Sequence, residues 1–446
     1  MKDNICAIST AYGNAAISII RCSGPDVFNL INKIFKGNDL TKVKSHTINY
    51  GHIISSGEVI DEVLCNVYVS PHSFDGENMV EINCHGGVFV TNKIMSILLD
   101  NGFRMAERGE FSLRAFLNNR MDLTSAEAIM DIIESENDIA LKASMSSLRS
   151  QTKNLVNKFR DKILDLLAKI EVNIDYPEYE DSVDVTHNYL SPILDELIID
   201  MKKIIDNSSI SKLAIHGVNT AIIGKPNVGK SSILNMMLDE SLAIVSDIPG
   251  TTRDLVRGKI NIGNVTLNLI DTAGIHDTAD YVEAIGIERS KKAIADSDLV
   301  LLVLDGSQDL DKYDLELLEL TNNKKRIIII NKNDIDKKFD LENSISISAI
   351  KNNGMDLLAN KITEITSINT LSNLNGNYLN NIRQVDLMKK AYKALINAKK
   401  SCDDLVDISL IEIDIKEAFD DLGEITGEGY PDELITALFT KFCLGK

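Results

Sequence analysis

The chain has 446 residues, 44% of them hydrophobic and 25% charged, and a formal net charge of −19 at neutral pH. That length exceeds what one hydrophobic core organises and predicts about three domains, while the strong negative charge excludes binding of a polyanion through the overall field. No apolar run approaches the roughly 18 residues of a membrane span, and six cysteines scattered without CxxC spacing exclude a zinc-ribbon framework.

The N-terminal MKDNICAIST has neither an apolar signal core nor an Arg-rich presequence, so a cytoplasmic protein is expected. Residues 1–118 read as a small mixed α/β domain. CAIST, AAISII, HTINYGHII and VLCNVYV are short alternating or apolar runs, and helical periods fall near 27–35 and 90–99. Residues 1–120 carry 11 Lys/Arg against 12 Asp/Glu, so nearly all the negative charge lies further on. His85 in the Cys84-His85-Gly86-Gly87 run reads as a turn residue bonded to backbone.

From 119 to about 210 the pattern turns helical. Residues 125–136 make one amphipathic helix. Leu148, Leu155, Phe159, Ile163, Leu166, Ile170 and Ile174 recur at three- and four-residue steps along a second, ended by Pro177, and a third is expected after Pro192. Residues 216–368 then alternate strand and helix as a doubly wound α/β unit does. Helical periodicity returns in 369–446, from about 382 to 442, so the α/β unit is expected to be inserted between two halves of one helical domain, with the Asn-rich 373–381 as the linker back.

Within the inserted unit, AIIGKPNVGKSS (221–232) is an apolar strand running into a GxxxxGKS loop that opens a helix. Glycines 224 and 229 let backbone N–H groups turn around a polyphosphate, Lys230 reaches the β- and γ-phosphates, and the Ser231 hydroxyl is placed for Mg²⁺. Next comes Ser246-Asp247-Ile248-Pro249-Gly250-Thr251-Thr252-Arg253-Asp254, in which Thr252 can close on Mg²⁺. A hairpin about Gly263-Asn264 delivers Asp271-Thr272-Ala273-Gly274, where Asp271 can hold Mg²⁺ through water and the Gly274 N–H can sense a γ-phosphate. An apolar strand ends in Asn331-Lys332-Asn333-Asp334. The Asp334 carboxylate accepts from the N1–H and amine of guanine, donors that adenine lacks at those positions. Ser348-Ala349 fits a further base-contacting turn, through backbone alone because Ile350 stands where a Lys is usual. The GTP-binding set is therefore Asn227, Val228, Gly229, Lys230, Ser231 and Ser232, the 246–252 and 271–274 segments, and Asn331, Lys332 and Asp334.

Five further stretches, GENMVEINCHGG (76–87), RGEFSLRAFLNNRMDL (108–123), NIDYPE (173–178), GTTRD (250–254) and VEAIGIERS (282–290), lie beside these motifs. With them the chain resembles the tRNA-modification GTPase MnmE (TrmE) family over nearly its whole length. The resemblance implies three parts: an N-terminal α/β domain binding a tetrahydrofolate derivative (5-formyl- or methylene-tetrahydrofolate), a split helical bundle, and an inserted P-loop GTPase domain. It further implies a homodimer through the N-terminal domain. An FAD- and NADH-dependent partner, MnmG (GidA), would join it in a heterotetramer or larger complex. Together they would place an aminomethyl or carboxymethylaminomethyl group on C5 of the wobble uridine, position 34, of certain tRNAs.

By the same resemblance, folate contacts fall on Arg21, Glu81, Arg120 (where a Lys is more usual) and Lys446. K⁺ would be held by Asn227 with Ser246, Ile248 and Thr251, and the water-activating acid would be Glu283. His276-Asp277 replaces a common Arg-Glu pair nearby. Cys443, in a CxGK tail, is either a thiol beside the folate or a small packing residue. The competing reading is a ribosome-assembly GTPase switch, whose GTPase motifs are similar but which usually carries a basic RNA-binding module that this chain lacks.

Overall fold

The computed structural model describes residues 3–175, 185–240, 258–270, 291–374, 376–429, 432–442 and 445. Its contacts divide the chain into two compact units, Met1–Met130 with Leu422–Lys446, and Asp131–Asp421.

In chain order the first unit contains β1 (Ile5–Ile8), β2 (Ile17–Ser23), α1 (Val27–Asn32), β3 (Phe35–Gly37), β4 (Thr47–Ser55), β5 (Glu58–Tyr68), β6 (Met79–His85), α2 (Val88–Asp100), β7 (Arg104–Met105) and α3 (Glu110–Leu117); α4 (Leu123–Ile133) begins in it. The strands form one sheet in the order β3-β4-β5-β6-β2-β1-β7, antiparallel except for the β1–β7 pair. Alternation dictates its faces: Val63, Cys65 and Val67 of β5 point into a core completed by Ile20, Cys22, Ile82 and, from α2, Ile94 and Leu98. The helical period expected to reach Phe35 stops at Asn32 instead. Phe35 opens an edge strand, and its ring lies over Gly37 and Gly51, where any Cβ would collide with it.

The second unit begins with three helices, α5 (Asp138–Leu148), α6 (Gln151–Asp175) and α7 (His187–His216). The helix expected over 125–136 is α4, which ends at Ile133, and Asn137 caps the next one by accepting the Ala140 N–H at 2.8 Å. Leu148 closes α5 rather than opening the long helix. Ser150 takes a left-handed conformation (φ 61°) that separates α5 from α6. The rest of the predicted stripe, Leu155, Phe159, Ile163, Leu166 and Ile170, is buried, while Ile174 is exposed. Pro177 lies outside the described residues. Pro192 does not mark the start of α7 but sits inside it; Thr186 caps the helix six residues before that proline, and Leu190 is already buried.

The α/β portion follows as β8 (Val218–Ile223), α8 (Lys230–Glu240), β9 (Lys259–Ile262), β10 (Val265–Ile270), β11 (Leu299–Asp305), α9 (Lys312–Leu320), β12 (Arg326–Asn331), β13 (Ser344–Ser346) and α10 (Met355–Thr366), with a 3₁₀ turn over Ile368–Asn373. Its sheet runs β13-β12-β11-β8-β10-β9, parallel apart from the β9–β10 hairpin about Gly263. All seven residues of β11 are buried, as a parallel strand covered on both faces requires. The chain then returns to helix in α11 (Ile382–Asp403), α12 (Ile408–Thr426) and α13 (Asp432–Phe439), the last belonging to the first unit. Alanines 391, 394 and 398 on the buried face of α11 allow close approach to α7.

In the first unit Phe439 of α13 and Phe442 pack with Phe116, Leu123 and Ala126. Gly109 (φ 69°) is required there, since a Cβ would lie 2.1 Å from the Phe439 carbonyl oxygen.

Candidate functional site

Parallel register brings the expected nucleotide-binding groups to one edge of the sheet. Asp305 is paired with Asn331, and Leu302 with Ile223, so the loop after β8, the end of β11 and the end of β12 all emerge at the carboxyl ends of neighbouring strands. That is where an open α/β sheet binds its ligand.

The phosphate loop is built by conformations that only some residues tolerate. Gly224 (φ 156°) passes so close to β11 that a Cβ would lie 2.3 Å from the Val303 carbonyl oxygen. Gly229 (φ 98°) has Asn331 Nδ2 2.1 Å from where its Cβ would be. Asn227 is left-handed at φ 65°. The loop runs directly into α8, whose first residue is Lys230, so backbone N–H groups and the positive end of the helix face the same space. A polyphosphate suits such a cradle. Lys230 Nζ is folded back, donating to the carbonyl oxygens of Gly224 and Lys225 at 2.7 Å each, and burial lowers its pKa. An anion at the loop would compensate that buried charge. Val228, Ser231 and Ser232 occupy the same loop and first helical turn.

The base-recognition strand is tied to that loop. Asn331 Nδ2 donates to the Val228 carbonyl at 2.8 Å, while its Oδ1 accepts the Ala349 N–H at 3.1 Å. Asp334 is held by the Ser348 hydroxyl at 2.6 Å, which keeps its carboxyl below the usual range and charged for two guanine donors. Ser348 thus reaches the site through its side chain as well as its backbone. Lys332, left-handed at φ 66°, pairs with Asp305 at 2.6 Å. Sequence reading missed Asp305; the signal available was its place at the carboxyl end of an apolar strand.

Among the described residues no group of three His, Cys, Asp or Glu side chains is arranged for a metal ion. Ser231 and Asn227 are the described members of the expected Mg²⁺ and K⁺ sets. Ser246, Asp247, Ile248, Pro249, Gly250, Thr251, Thr252, Asp271, Thr272, Ala273, Gly274 and Glu283 lie outside the described residues, as do His276 and Asp277.

In the first unit, cross-strand register sets Arg21 opposite Glu81. Arg21 Nε and Nη2 both donate to Glu81 Oε1, at 3.1 and 2.9 Å, and Tyr68 donates to Oε2 at 3.3 Å. The Arg21 guanidinium lies 4.9 Å from the Phe74 ring centroid and donates to the carbonyl of Gly445 at 3.2 Å. The Gly445 carbonyl therefore reaches β2 at this residue. Beside it opens a cavity of about 380 Å³ lined by His46, Tyr68, His72, Ser73, Phe74 and Arg120. Among the described residues Arg120 is held only by Nε, which donates to Ser73 O at 3.2 Å.

The loop forming the cavity wall is rigid. Asp75 accepts from Ser23, Ser73 and the Glu77 N–H, and the buried Arg114 pairs with Glu77 and Glu110. Two aromatic rings and the Arg120 guanidinium line the cavity, and Tyr68 links it to Glu81. Arg21, Glu81 and Arg120 are thus brought to one region. Lys446 and Cys443 lie outside the described residues. The aromatic members Tyr68 and Phe74 carried no motif that sequence reading could use.

His85 departs from expectation. Its ring Nδ1 meets Asp61 Oδ1 at 2.6 Å rather than a backbone group, and that carboxylate raises its pKa. Five cysteines (6, 22, 65, 84 and 402) are free and buried, as packing residues should be. Burial pushes the Cys6 and Cys65 thiols up to about 12.

Comparison with known proteins covers nearly the whole chain. Residues 4–120 match the family described as GTP-binding protein TrmE N-terminus, and residues 123–443 match the MnmE helical domain. The tRNA modification GTPase MnmE of Streptococcus thermophilus is 47% identical over 100% of this chain and 98% of its own length. That of Lactobacillus gasseri is 48% identical, with the same coverage. Among solved structures, the G domain of the T. maritima FeoB iron transporter aligns with 33% of this chain and 98% of that one, at 29% identity and a TM-score of 0.25.

Proposed function

Because the chain belongs to the MnmE family of tRNA-modification GTPases, we propose that it hydrolyses GTP to drive modification of the wobble uridine of certain tRNAs. A single observation carries the nucleotide half: Asn331 joins the base-recognition strand to the phosphate loop at 2.8 Å, so both ends of one guanine nucleotide are served by one rigid edge. Lys230 exchanges its loop carbonyls for the β- and γ-phosphates, Asp334 takes the guanine N1–H and amine, and Glu283 orients the attacking water through a second one. Ser231 and Thr252, with Asp271 through water, would hold Mg²⁺, and Asn227, Ser246, Ile248 and Thr251 would hold K⁺; such cations would supply positive charge where the β–γ bridge becomes negative.

The folate half rests on Arg21, Glu81 and Arg120 with Lys446. A pterin edge would take the outer lone pairs of Glu81, the Phe74 and Tyr68 rings would flank it, and the acidic tail would meet Arg120. The folate carbon would become the methylene joining C5 of uridine 34 to an amine, ammonia giving the aminomethyl and glycine the carboxymethylaminomethyl group, with an FAD- and NADH-dependent MnmG (GidA) as redox partner and a homodimer of this chain as its frame. A cytoplasmic setting follows from that chemistry, and no described helix is long and apolar enough to cross a membrane.

Turnover tests the switch directly. GTP hydrolysis should be much faster in KCl than in NaCl at equal ionic strength, and Glu283→Ala should slow it at least about tenfold with GDP binding retained. Equal rates in the two salts would remove K⁺, and unaltered turnover would remove Glu283.

A further inference from the structure

We propose that Asp314 of α9 is a positioning residue for the phosphate loop, acting through Lys225, and that α9 is thereby part of the nucleotide-binding machinery. The inference rests on the GTP-site reading above. Lys225 immediately follows Gly224. Its ammonium is bracketed by Asp314 Oδ2 at 2.7 Å and Asp311 Oδ2 at 2.8 Å, and its backbone carbonyl is one of the two that receive Lys230 Nζ. One residue therefore connects the phosphate-seeking lysine to a helix that carries none of the expected nucleotide-binding residues.

The two carboxylates are not equivalent. Asp311 is an exposed N-cap, whereas the Asp314 side chain is only 4% exposed. Asp314 Oδ2 is shared between Lys225 and the Asp311 N–H at 3.2 Å, and its Oδ1 is buried without a hydrogen-bond partner among the described residues. A buried carboxylate that leaves one oxygen unpaired is costly. A capping box alone would be served as well by an exposed Asp, Glu or Gln at that position. What the buried placement adds is a fixed, weakly screened anchor for Lys225.

The loop is thus held at both ends, Val228 by Asn331 and Lys225 by Asp314, with Gly224 wedged against Val303 between β8 and β11. Its N–H groups can bind phosphate only while both ends are fixed, so loosening Lys225 should weaken nucleotide binding more than the chemical step.

The test uses the full chain with GDP affinity, KM and kcat for GTP, and thermal melting of the nucleotide-free protein. Asp314→Asn should raise the GDP Kd and the GTP KM about tenfold while kcat stays within about twofold. Lys225→Met should do the same, serving if Asp314→Asn does not fold, and the double variant should be no weaker than the worse single one. Lys225→Arg should bind GDP at least as tightly as wild type, because a guanidinium fork can donate to both Asp314 oxygens. Unchanged GDP affinity in both Lys225→Met and Asp314→Asn, or a lower melting temperature with unchanged KM, overturns the inference alone. Wild type that binds no GDP overturns the nucleotide reading and this inference with it.

Discussion

His85 shows how a single contact outside both sites carries a measurable consequence. Its ring is 71% exposed yet bonded to an Asp61 carboxylate that is only 8% exposed, and Asp61 Oδ2 also takes the His85 N–H at 2.9 Å. The carboxylate favours the imidazolium, so the folded pKa lies above the ordinary 6.5. A raised value in the folded state means that the stabilisation is fully present below about pH 6.5 and is lost as pH rises through the folded pKa. Ring-proton NMR should find the His85 midpoint above 6.5 and return it there in Asp61→Asn; an unshifted midpoint in wild type would remove the ion pair. At this scale the expected nucleotide residues could be named from the sequence because each is a fixed residue type at a fixed spacing. Asp61, Asp305, Asp314, Tyr68 and Phe74 could not, since their roles come from partners distant in sequence.

Elements were legible in kind but not in their joints. Periodicity located α6 and the hairpin of β9 and β10, because burial repeats along them. It carried α4 three residues past its end at Ile133 and mistook Leu148 for part of α6, because a left-handed Ser150 interrupts the helix without interrupting the apolar pattern. The linker of 373–381 also holds more than its Asn-rich composition suggested. Asn380, 2% exposed, donates to the Ala143 carbonyl at 2.9 Å and to Ser147 Oγ at 2.7 Å, both on α5, and accepts from Ser211 of α7 at 2.7 Å. Asn380→Ala leaves those buried groups unpaired, at an expected cost of about 2–4 kcal/mol. Urea unfolding followed by helical circular dichroism should show its main transition at lower concentration, and an unmoved midpoint would mean that the linker does not fasten these helices.

At the scale of the whole molecule, the family of the chain was legible in short motifs spread from residue 76 to the C-terminus, while the grouping of contacts was not. Length suggested three domains; contacts group the described residues into two units, one made from two separated stretches and one from the continuous Asp131–Asp421. Chain ends have no sequence signal for where they dock, and only the structure places the Gly445 carbonyl on Arg21. The proposed function joins an acidic protein to tRNA, which its net charge of −19 repels. The account therefore depends most on what happens to the tRNA itself. Nucleoside mass spectrometry of tRNA from cells lacking this protein should show loss of the C5-modified wobble uridine, restored by the wild-type chain and not by Lys230→Ala. Full modification in the deleted cells would contradict the account.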